Sequence, residues 1–229
     1  MTSSGTYAYS LSNGEAVLSA FERCQLRLPS LRQEHFRSAR VESNLLFASW
    51  ANETPNLWKV ELISLSLTNG STIYDVPTRV VAILDGYLTT NNGATTQIDR
   101  YMTPISRTEY DSYASKYQAG LPTVYWHDKL LSPTVTLWPV INTTSYVFNY
   151  HAATQIQDAA LAAGQTPDIP YVWYDAFVSG LAHRLARIYA PQLEQVREQD
   201  AKKAWDIAAA QNTEQVNLKL TPDLSGYYR

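Results

Sequence analysis

The side chains that could perform acid–base or metal chemistry are few and lie far apart along the chain. The histidines are His35, His127, His151 and His183, and no two of them have the spacing of a metal-binding pair. Asp175 and His183 fall on one predicted helix, but two turns separate them, so their side chains cannot form a direct hydrogen bond. We interpret each histidine as a surface residue or a satisfied core residue, and we predict no metal ligand.

The short motifs that mark enzymes and cofactor sites are also missing from the sequence. It contains no Gly-x-Ser-x-Gly, no His-Glu-x-x-His, no phosphate-binding loop and no dinucleotide-binding glycine pattern. Asp128, next to His127, lies in a predicted hairpin turn, where aspartate commonly bonds to its own backbone. The single cysteine, Cys24, excludes a disulfide framework and reads as a small buried apolar residue. We therefore predict no catalytic residue and no cofactor.

The aromatic residues are more informative than the polar ones. Sixteen tyrosines and six tryptophans are many for 229 residues, and such rings suit interfaces and β-rich cores equally well. No charged residue occurs from Leu130 to Tyr150, so we expect the core to cover one face of this stretch and a neighbouring subunit to cover the other. The predicted inter-subunit residues are Trp126, Trp138, Tyr146 and Phe148.

Composition narrows the class of protein further. A hydrophobic content of 45%, a charged content of 17% and a net charge of −3 fit a globular chain and argue against a dedicated nucleic-acid binder. Met1 to Ser10 lacks the features of a signal peptide, and no apolar stretch has the roughly 20 residues that span a bilayer. We expect a soluble protein that is made in a cytoplasm and does not bind a membrane.

Arginine is concentrated near the start of the chain. Five arginines between Arg23 and Arg40 face only Glu22 and Glu34. We favour the interpretation that these charges form a solvated helix surface, because most charge runs on helices do. The alternative is a face turned toward DNA or an acidic partner.

Helix signals cluster at the two ends of the chain. Capping boxes predict helix starts at Ser12, Ser30 and Ser106. Apolar residues from Val172 to Ile188 recur mainly every four positions, which predicts a long amphipathic helix. Pro191 fits the first position of a final helix that ends near Gln211.

The middle of the chain has the pattern of a sheet. The pair Asn69-Gly70 predicts a hairpin between strands at residues 57–67 and 72–76, and Asn91-Asn92-Gly93 predicts a second hairpin tip. Residues 98–150 predict a strand, a short helix and three further strands. The polar and alanine-rich residues 151–165 are expected to form a loop with partial helix.

The predicted fold class is α+β, with a helical bundle, a central antiparallel region of hairpins and an extended tail. The bundle is assigned to residues 1–56 and 151–211, and the β region with one short helix is assigned to residues 57–150. Residues 212–229 form the tail, whose apolar and aperiodic sequence favours contact with a partner over a frayed end.

Several phrases in this order resemble the head-to-tail adaptor proteins of short-tailed phages. They are Thr103-Pro104-Ile105-Ser106-Arg107-Thr108-Glu109-Tyr110, Gly120-Leu121-Pro122-Thr123-Val124-Tyr125-Trp126, Thr136-Leu137-Trp138-Pro139-Val140, Tyr146-Val147-Phe148-Asn149-Tyr150, the run from Tyr171 to Pro191, and Ala201-Lys202-Lys203-Ala204-Trp205. The likeness covers most of the chain and is weakest between Glu61 and Gln97.

The resemblance implies a structural virion protein in the neck, at the head–tail junction. Such a protein forms a ring of about twelve copies that docks under the portal, extends the DNA channel and attaches the tail nozzle or tail tube. DNA would pass through the lumen without sequence recognition, so the lumen should be neutral or acidic. The C-terminal segment would reach the portal, which implies portal-binding residues Leu218, Leu220, Leu224, Tyr227, Tyr228 and Arg229.

Other functions remain open at this stage. The aromatic residues would also suit a receptor- or glycan-binding module of a phage tail, although the terminal helices are unusual for an all-β lectin. A hydrolytic enzyme is disfavoured by the absent motifs. Another ring of the same neck, such as a stopper or tail-completion protein, would have the same partners at a different level of the stack.

Overall fold

The computed structural model describes residue 3 and residues 5–53, 56–161 and 164–213, and it confirms the α+β class. The helices are α1 (Asn13–Arg23), α2 (Gln33–Glu53), α3 (Arg107–Ser112), α4 (Tyr174–Tyr189) and α5 (Glu194–Ala209). The strands are β1 (Val60–Ser66), β2 (Ile73–Asp75), β3 (Val80–Thr90), β4 (Ile98–Pro104), β5 (Ala119–Gly120), β6 (Val124–His127), β7 (Thr134–Trp138), β8 (Val140–Ile141) and β9 (Tyr146–Thr154).

The predicted capping box at Ser12 is confirmed at the start of α1. The Ser12 hydroxyl accepts from the backbone N–H of Glu15, and the Glu15 carboxylate accepts from the backbone N–H of Ser12. These hydrogen bonds from Ser12 lower the pKa of Glu15. The box therefore fixes where the first helix begins.

The capping box predicted at Ser30 is wrong. Ser30 ends a short 3-10 helix, Leu28–Ser30, and α2 begins only at Gln33. Here the His35 ring nitrogen Nδ1 accepts from the backbone N–H of Arg32 at 3.0 Å. A histidine supplies the acceptor that the serine was expected to supply.

The main sheet has seven strands in the order β1-β9-β3-β4-β6-β7-β2, with a separate pair of β5 and β8. Strands β3 and β4 pair antiparallel around residues 91–97, which confirms the hairpin predicted at Asn91-Asn92-Gly93. Strands β4 and β6 are parallel neighbours, because α3 and its flanking loops carry the chain back between them.

The hairpin predicted at Asn69-Gly70 is wrong. Gly70 has a positive φ of 79°, as such a turn requires, but β1 pairs with β9 and β2 pairs with β7. The two strands thus lie at opposite edges of the sheet. Turn chemistry is local, whereas the pairing partner is decided by which distant strand completes the buried face.

The loop predicted from His151 is also wrong in its first residues. Strand β9 continues to Thr154, and Ala152 and Ala153 are buried. Small residues are needed at positions 152 and 153 because β9 pairs with β1 on one side and β3 on the other, and its side chains there are covered as well.

The two C-terminal helices are confirmed, with Pro191 opening a 3-10 turn, Pro191–Leu193, that leads into α5. Helix α4 lies at the centre of the bundle and packs on α1, α2 and α5. Gly180 allows α4 to approach α2 closely, because a Cβ there would lie 3.0 Å from a methyl group of Leu46.

Two clusters of buried residues result. The helical cluster draws on α1, α2, α4 and α5 and includes Ile156, Ala159 and Ile169 from the segment between β9 and α4. The sheet cluster is built from strand residues such as Phe148 and Tyr150. Whether the predicted division at residues 56, 150 and 211 marks independently folding domains stays a prediction.

A polar junction joins the two regions. The Lys59 ammonium lies 2.8 Å from the Asp168 carboxylate, which also accepts from the backbone N–H of Gln157. The Thr154 hydroxyl donates to the Lys59 carbonyl at 3.0 Å. Within the described ranges, no helix is both long and apolar enough to cross a membrane.

Candidate assembly surfaces

The two tryptophans predicted to lie between subunits are stacked on tyrosines of their own chain. Trp126 of β6 stacks on Tyr110 with ring centroids 5.8 Å apart, and Trp138 of β7 stacks on Tyr113 at 4.3 Å. Both tyrosines come from α3 or its C-terminal end, and the Ser106 hydroxyl caps that helix by accepting from the Glu109 N–H. This short helix therefore acts as a cover over the strand aromatics.

The loop after α3 closes the same aromatic group. The Lys116 ammonium lies 4.6 Å from the centroid of the Tyr110 ring, a cation–π contact, and also donates to the Tyr110 carbonyl. The Trp138 indole N–H donates to the Ser115 carbonyl at 3.0 Å. Burial raises the pKa of Tyr110, and Tyr117 and Asp111 add to this shift. We call residues 107–118 the α3 cover.

The lack of charge in β7, within the uncharged stretch from Leu130 to Tyr150, is explained within one chain. Val135, Thr136 and Leu137 are all buried, so both faces of β7 are covered by the chain itself. For β7 no neighbouring subunit is needed, and covering of the rest of the stretch by a second copy stays a prediction. The core of the sheet and the α3 cover shield most of this strand from solvent.

Of the predicted inter-subunit residues, Phe148 has no exposed surface, because its ring stacks on Tyr150 and packs against Tyr125 inside the sheet. Burial in this group raises the pKa of Tyr125 to about 12. Trp126, Trp138 and Tyr146 keep partial exposure, and their contact with a second copy stays a prediction.

The most exposed leucines among the described residues lie at the tip of the β6–β7 hairpin. Leu130 is 68% exposed and Leu131 is 99% exposed. The turn that presents them is fixed, because the Asp128 carboxylate accepts from the Thr134 backbone N–H at 2.6 Å and from its hydroxyl at 2.7 Å. This confirms the turn role of Asp128. Two adjacent leucines exposed on a hydrogen-bonded turn are a candidate contact surface.

Sequence reasoning missed this tip. The sequence places the leucine pair in a turn from Asp128 to Pro133, but its exposure was not predicted, because the whole charge-free stretch was expected to be covered. The signal that could have identified it is Leu130-Leu131-Ser132-Pro133, a turn sequence that carries apolar residues where turns normally carry polar ones.

The arginine-rich segment forms an open groove along the first turns of α2. Arg32, Arg37 and Arg40 line it together with Gln33, Glu34, Phe36 and Leu161. None of these three guanidinium groups forms an ion pair with any residue that the structure describes. Arg23 differs, because it pairs with Asp175 at 3.0 Å and donates to Ser179, joining α1 to α4. The solvated-surface interpretation fits this geometry.

The histidines do not converge on a site. His151 pairs with Asp85 at 2.7 Å on the exposed side of the sheet, a contact that the sequence did not indicate. Burial lowers the pKa of His127 and of His183, with Arg187 adding to the shift at His183. Asp175 binds Arg23 and not His183. Among the described residues, no group of three or more His, Cys, Asp or Glu side chains is placed to hold a metal ion.

The predicted portal-binding residues Leu218, Leu220, Leu224, Tyr227, Tyr228 and Arg229 lie outside the described residues. The description ends at Thr213. The chain is held just before that point, because the Asn212 side-chain oxygen accepts from the backbone N–H of Leu57 at 2.9 Å.

Aromatic stacking under a short cover, an apolar hairpin tip and an open arginine groove are the candidate contact surfaces of the described residues. Residues 35–222 match the model of the SU10 adaptor protein family, and the chain belongs to that family. It is a phage adaptor protein, and hence a structural component of the virion. No curated protein matches the chain in sequence.

Proposed function

We propose that this adaptor forms the head-to-tail ring of a short-tailed phage, docking beneath the portal and carrying the tail below. The observation that carries the proposal is the family match, which extends over residues 35–222 and so includes both the bundle and the sheet. The order of elements supports it, since the sequence phrases that resemble head-to-tail adaptors fall on α3, the β6–β7 hairpin, β9, α4 and α5.

In the proposed ring, about twelve copies repeat one heterologous contact around an axis. The hairpin tip at Leu130 and Leu131 is the apolar surface best suited to such a contact, because burying each leucine contributes about 1.5–3 kcal/mol. The half-exposed rings of Trp126, Trp138 and Tyr146 would extend the contact toward the same hairpin.

The lumen of the ring would extend the DNA channel without reading sequence. A net charge of −3 suits a channel that must let the duplex pass, because closely spaced cations would hold the phosphates. The arginine groove on α2 would then face away from the channel, toward an acidic surface of a neighbouring neck protein.

The C-terminal residues would attach the ring to the portal. Residues 218–228 are rich in leucine and tyrosine, which are effective anchors when they fill pockets on a partner. The tail nozzle or tail tube protein would bind the opposite side of the ring.

A binding experiment with purified portal tests this proposal. The full chain should co-purify with portal, and a chain ending at Thr213 should not, although both should show the same helical circular dichroism. The matched control is Leu84→Ser, which changes an exposed apolar residue of β3 and should leave portal binding unchanged. Undiminished binding by the shortened chain would show that the tail is not the anchor.

Mass photometry of the free and portal-bound protein tests ring formation. We expect a monomer in solution and a closed ring on the portal. Leu131→Ser should reduce ring formation without lowering stability, because its side chain contacts solvent in the single chain. A stable ring without portal would refute templated assembly, and no ring in either state would refute the adaptor-ring proposal.

A further inference from the structure

Helix α2 carries a second apolar stripe, on its exposed side. Val41 and Leu45 are half-exposed, and Ala48 is exposed as well. These three residues recur at positions i, i+4 and i+7, so they lie on one face of the helix. The residues that bury α2 in the bundle, such as Leu46 and Trp50, belong to another face. A surface helix normally keeps its solvent side polar, so this stripe is a candidate contact surface.

The stripe leads into a cleft between α2 and the sheet, which we call the α2 cleft. Its volume is about 320 Å³. Phe47, Ala48 and Ala51 line it from α2, and Val81 at the start of β3 and Ile156 just after β9 line it from the sheet. A cavity of roughly 150 Å³ already accepts a benzene-sized group, so the α2 cleft has room for a leucine side chain.

The polar part of the lining carries one charge. It consists of Asn44, Asn52, Gln155 and Asp158, of which only Asp158 is ionisable. The Asp158 side chain is exposed and forms no ion pair with any residue that the structure describes. An occupant that fits this cleft therefore has an apolar side chain next to a cation.

The hairpin tip of the same chain has this chemistry. Lys129 is exposed, has no ion-pair partner in the described part of the chain, and directly precedes Leu130 and Leu131. Asp128 does not neutralise it, because the Asp128 carboxylate is bound to Thr134. Leu131 is almost fully exposed, so it does not fill the cleft of its own chain.

We propose that the hairpin tip of one copy enters the α2 cleft of the next copy, with Leu131 in the cleft and Lys129 beside Asp158. The tip belongs to β6 and β7, whereas the cleft belongs to α2 and the ends of β3 and β9. Two different surfaces of one chain are what a heterologous contact needs if it is to repeat around an axis. This inference rests on the proposed ring and names the two surfaces that meet in it.

Charge reversal tests the contact. Lys129→Glu brings two carboxylates together, and Asp158→Lys brings two ammonium groups together. Each single variant should need about tenfold more protein or higher to form the ring on portal, because facing like charges oppose association. The chain with both substitutions should recover ring formation. Both side chains are exposed in the single chain, so urea titration should show wild-type stability for all three variants.

The matched control is Lys203→Glu, which reverses an exposed lysine of α5 and should leave the ring unchanged. A double variant as defective as the single variants, or single variants without a defect, would overturn this contact while the wild-type ring still supports the proposed function. No ring from the wild-type chain on portal would overturn the proposed ring and this contact with it.

Disulfide trapping gives a second test. A chain with Leu131→Cys and Ala48→Cys, assembled on portal and mildly oxidised, should give a ladder of linked copies on a non-reducing gel. An equal mixture of the two single variants should give linked pairs only, because each chain then contributes one accessible thiol. Leu131→Cys with Ile207→Cys, an exposed position of α5, should give no ladder. The native Cys24 is buried and should not compete.

The same samples distinguish other occupants of the cleft. A disulfide within one chain, or an assembled ring without any disulfide, would overturn the contact between copies. If assembly shielded the thiol of Ala48→Cys from alkylation but no disulfide formed, portal would be the occupant and the inference would be wrong.

Discussion

The helical region and the sheet region both bury aromatic rings, but they use them differently. In the helical region the ring centroids of Trp50, Trp173 and Trp205 lie 5.0 to 5.3 Å apart, and that of Trp58 lies 6.0 Å from Trp173. This group joins α2 and α5 to the 3-10 helix that precedes α4. In the sheet region Phe148 and Tyr150 stack inside, whereas Trp126 and Trp138 stack at the rim.

This difference bears on which region stabilises the chain and which region is proposed to contact other subunits. The helical region buries Trp50 and Trp173, and its surface carries the charged groove on α2 together with single exposed apolar side chains such as Ile207. The sheet region carries an edge strand with a free side among the described residues, the apolar tip at Leu130 and Leu131, and rings that are covered only by the α3 cover. The sheet therefore carries the paired leucines and the stacked rings on which the proposed ring contact is based.

Core truncation in each region should have the largest effect. Phe177→Ala in the bundle and Phe148→Ala in the sheet each remove a fully buried ring, so each should lower the free energy of unfolding by about 3–5 kcal/mol. Urea titration followed by tryptophan fluorescence and by far-ultraviolet circular dichroism measures this.

The same titration tests how far the two regions depend on each other. Because the Lys59–Asp168 junction connects them, both signals should shift together in both variants. Two separate transitions in Phe177→Ala would show that the sheet folds without the bundle.

Adding one methyl group at a glycine should distinguish the two kinds of packing. A Cβ at Gly86 would lie 2.7 Å from the Phe148 ring, which is itself stacked and fully buried, so Gly86→Ala should destabilise the protein by about 1–3 kcal/mol. A Cβ at Gly180 would meet only the end of Leu46 at 3.0 Å, and alanine favours helix by about 1 kcal/mol over glycine.

The glycine pair thus has a clear expected order. Thermal unfolding of Gly180→Ala should differ little from wild type, and Gly86→Ala should melt lower. If Gly180→Ala lowered the melting temperature more than Gly86→Ala, the helices would be packed more tightly around their glycine than the strands are, which is the opposite of what we expect.

The ion pair between the regions should contribute less than either core. Lys59 is 12% exposed, and Asp168→Asn keeps its shape while removing the charge, so we expect a loss of about 1–2 kcal/mol. The matched control is Arg187→Gln, because the Arg187–Glu194 pair is largely exposed and should contribute about 0.5 kcal/mol or less. Equal losses in the two variants, measured by urea titration, would mean that the junction is not a coupling point.

The sequence predicted the helical region better than the sheet. The periodic apolar residues from Val172 to Ile188 and the box at Ser12 gave correct helices, because helix formation depends on residues within one or two turns. The turn at Asn69-Gly70 was recognised, but its strands join partners far away in the sequence. No local signal specifies that β1 pairs with β9.

The candidate surfaces were predicted only in part. Trp126 and Trp138 were predicted to lie between subunits, which stays a prediction. The cover that Tyr110 and Tyr113 supply depends on how α3 folds back over the sheet. The exposure of Leu131 was missed for the same reason, since only the fold shows which part of an uncharged stretch reaches solvent.

Acidification should lower the free energy of unfolding least of all these changes. The loss should be traceable to one histidine in the bundle and one in the sheet. His183 in the bundle and His127 in the sheet have pKa values held below the usual 6.5 by burial, so each favours its neutral form in the folded state. Below pH 6.5 the unfolded chain binds more protons than the folded chain, and the free energy of unfolding therefore falls as the pH is lowered. Above pH 6.5 this contribution is constant. Because both rings keep some solvent contact, we expect a loss of less than about 1 kcal/mol for each histidine.

Single variants divide this loss between the two regions. His183→Gln should remove the share that arises in the bundle, where Arg184 and Arg187 oppose a charged ring and Glu194 and Glu198 favour it. His127→Gln should remove the share of the sheet. Urea titrations between pH 7.5 and 5.5 measure both while avoiding the range in which Glu15 and Glu61 are protonated, since hydrogen bonds lower the pKa of each of these carboxylates. An undiminished pH dependence in the double variant would mean that another group senses acid, and neither buried histidine would then distinguish the bundle from the sheet.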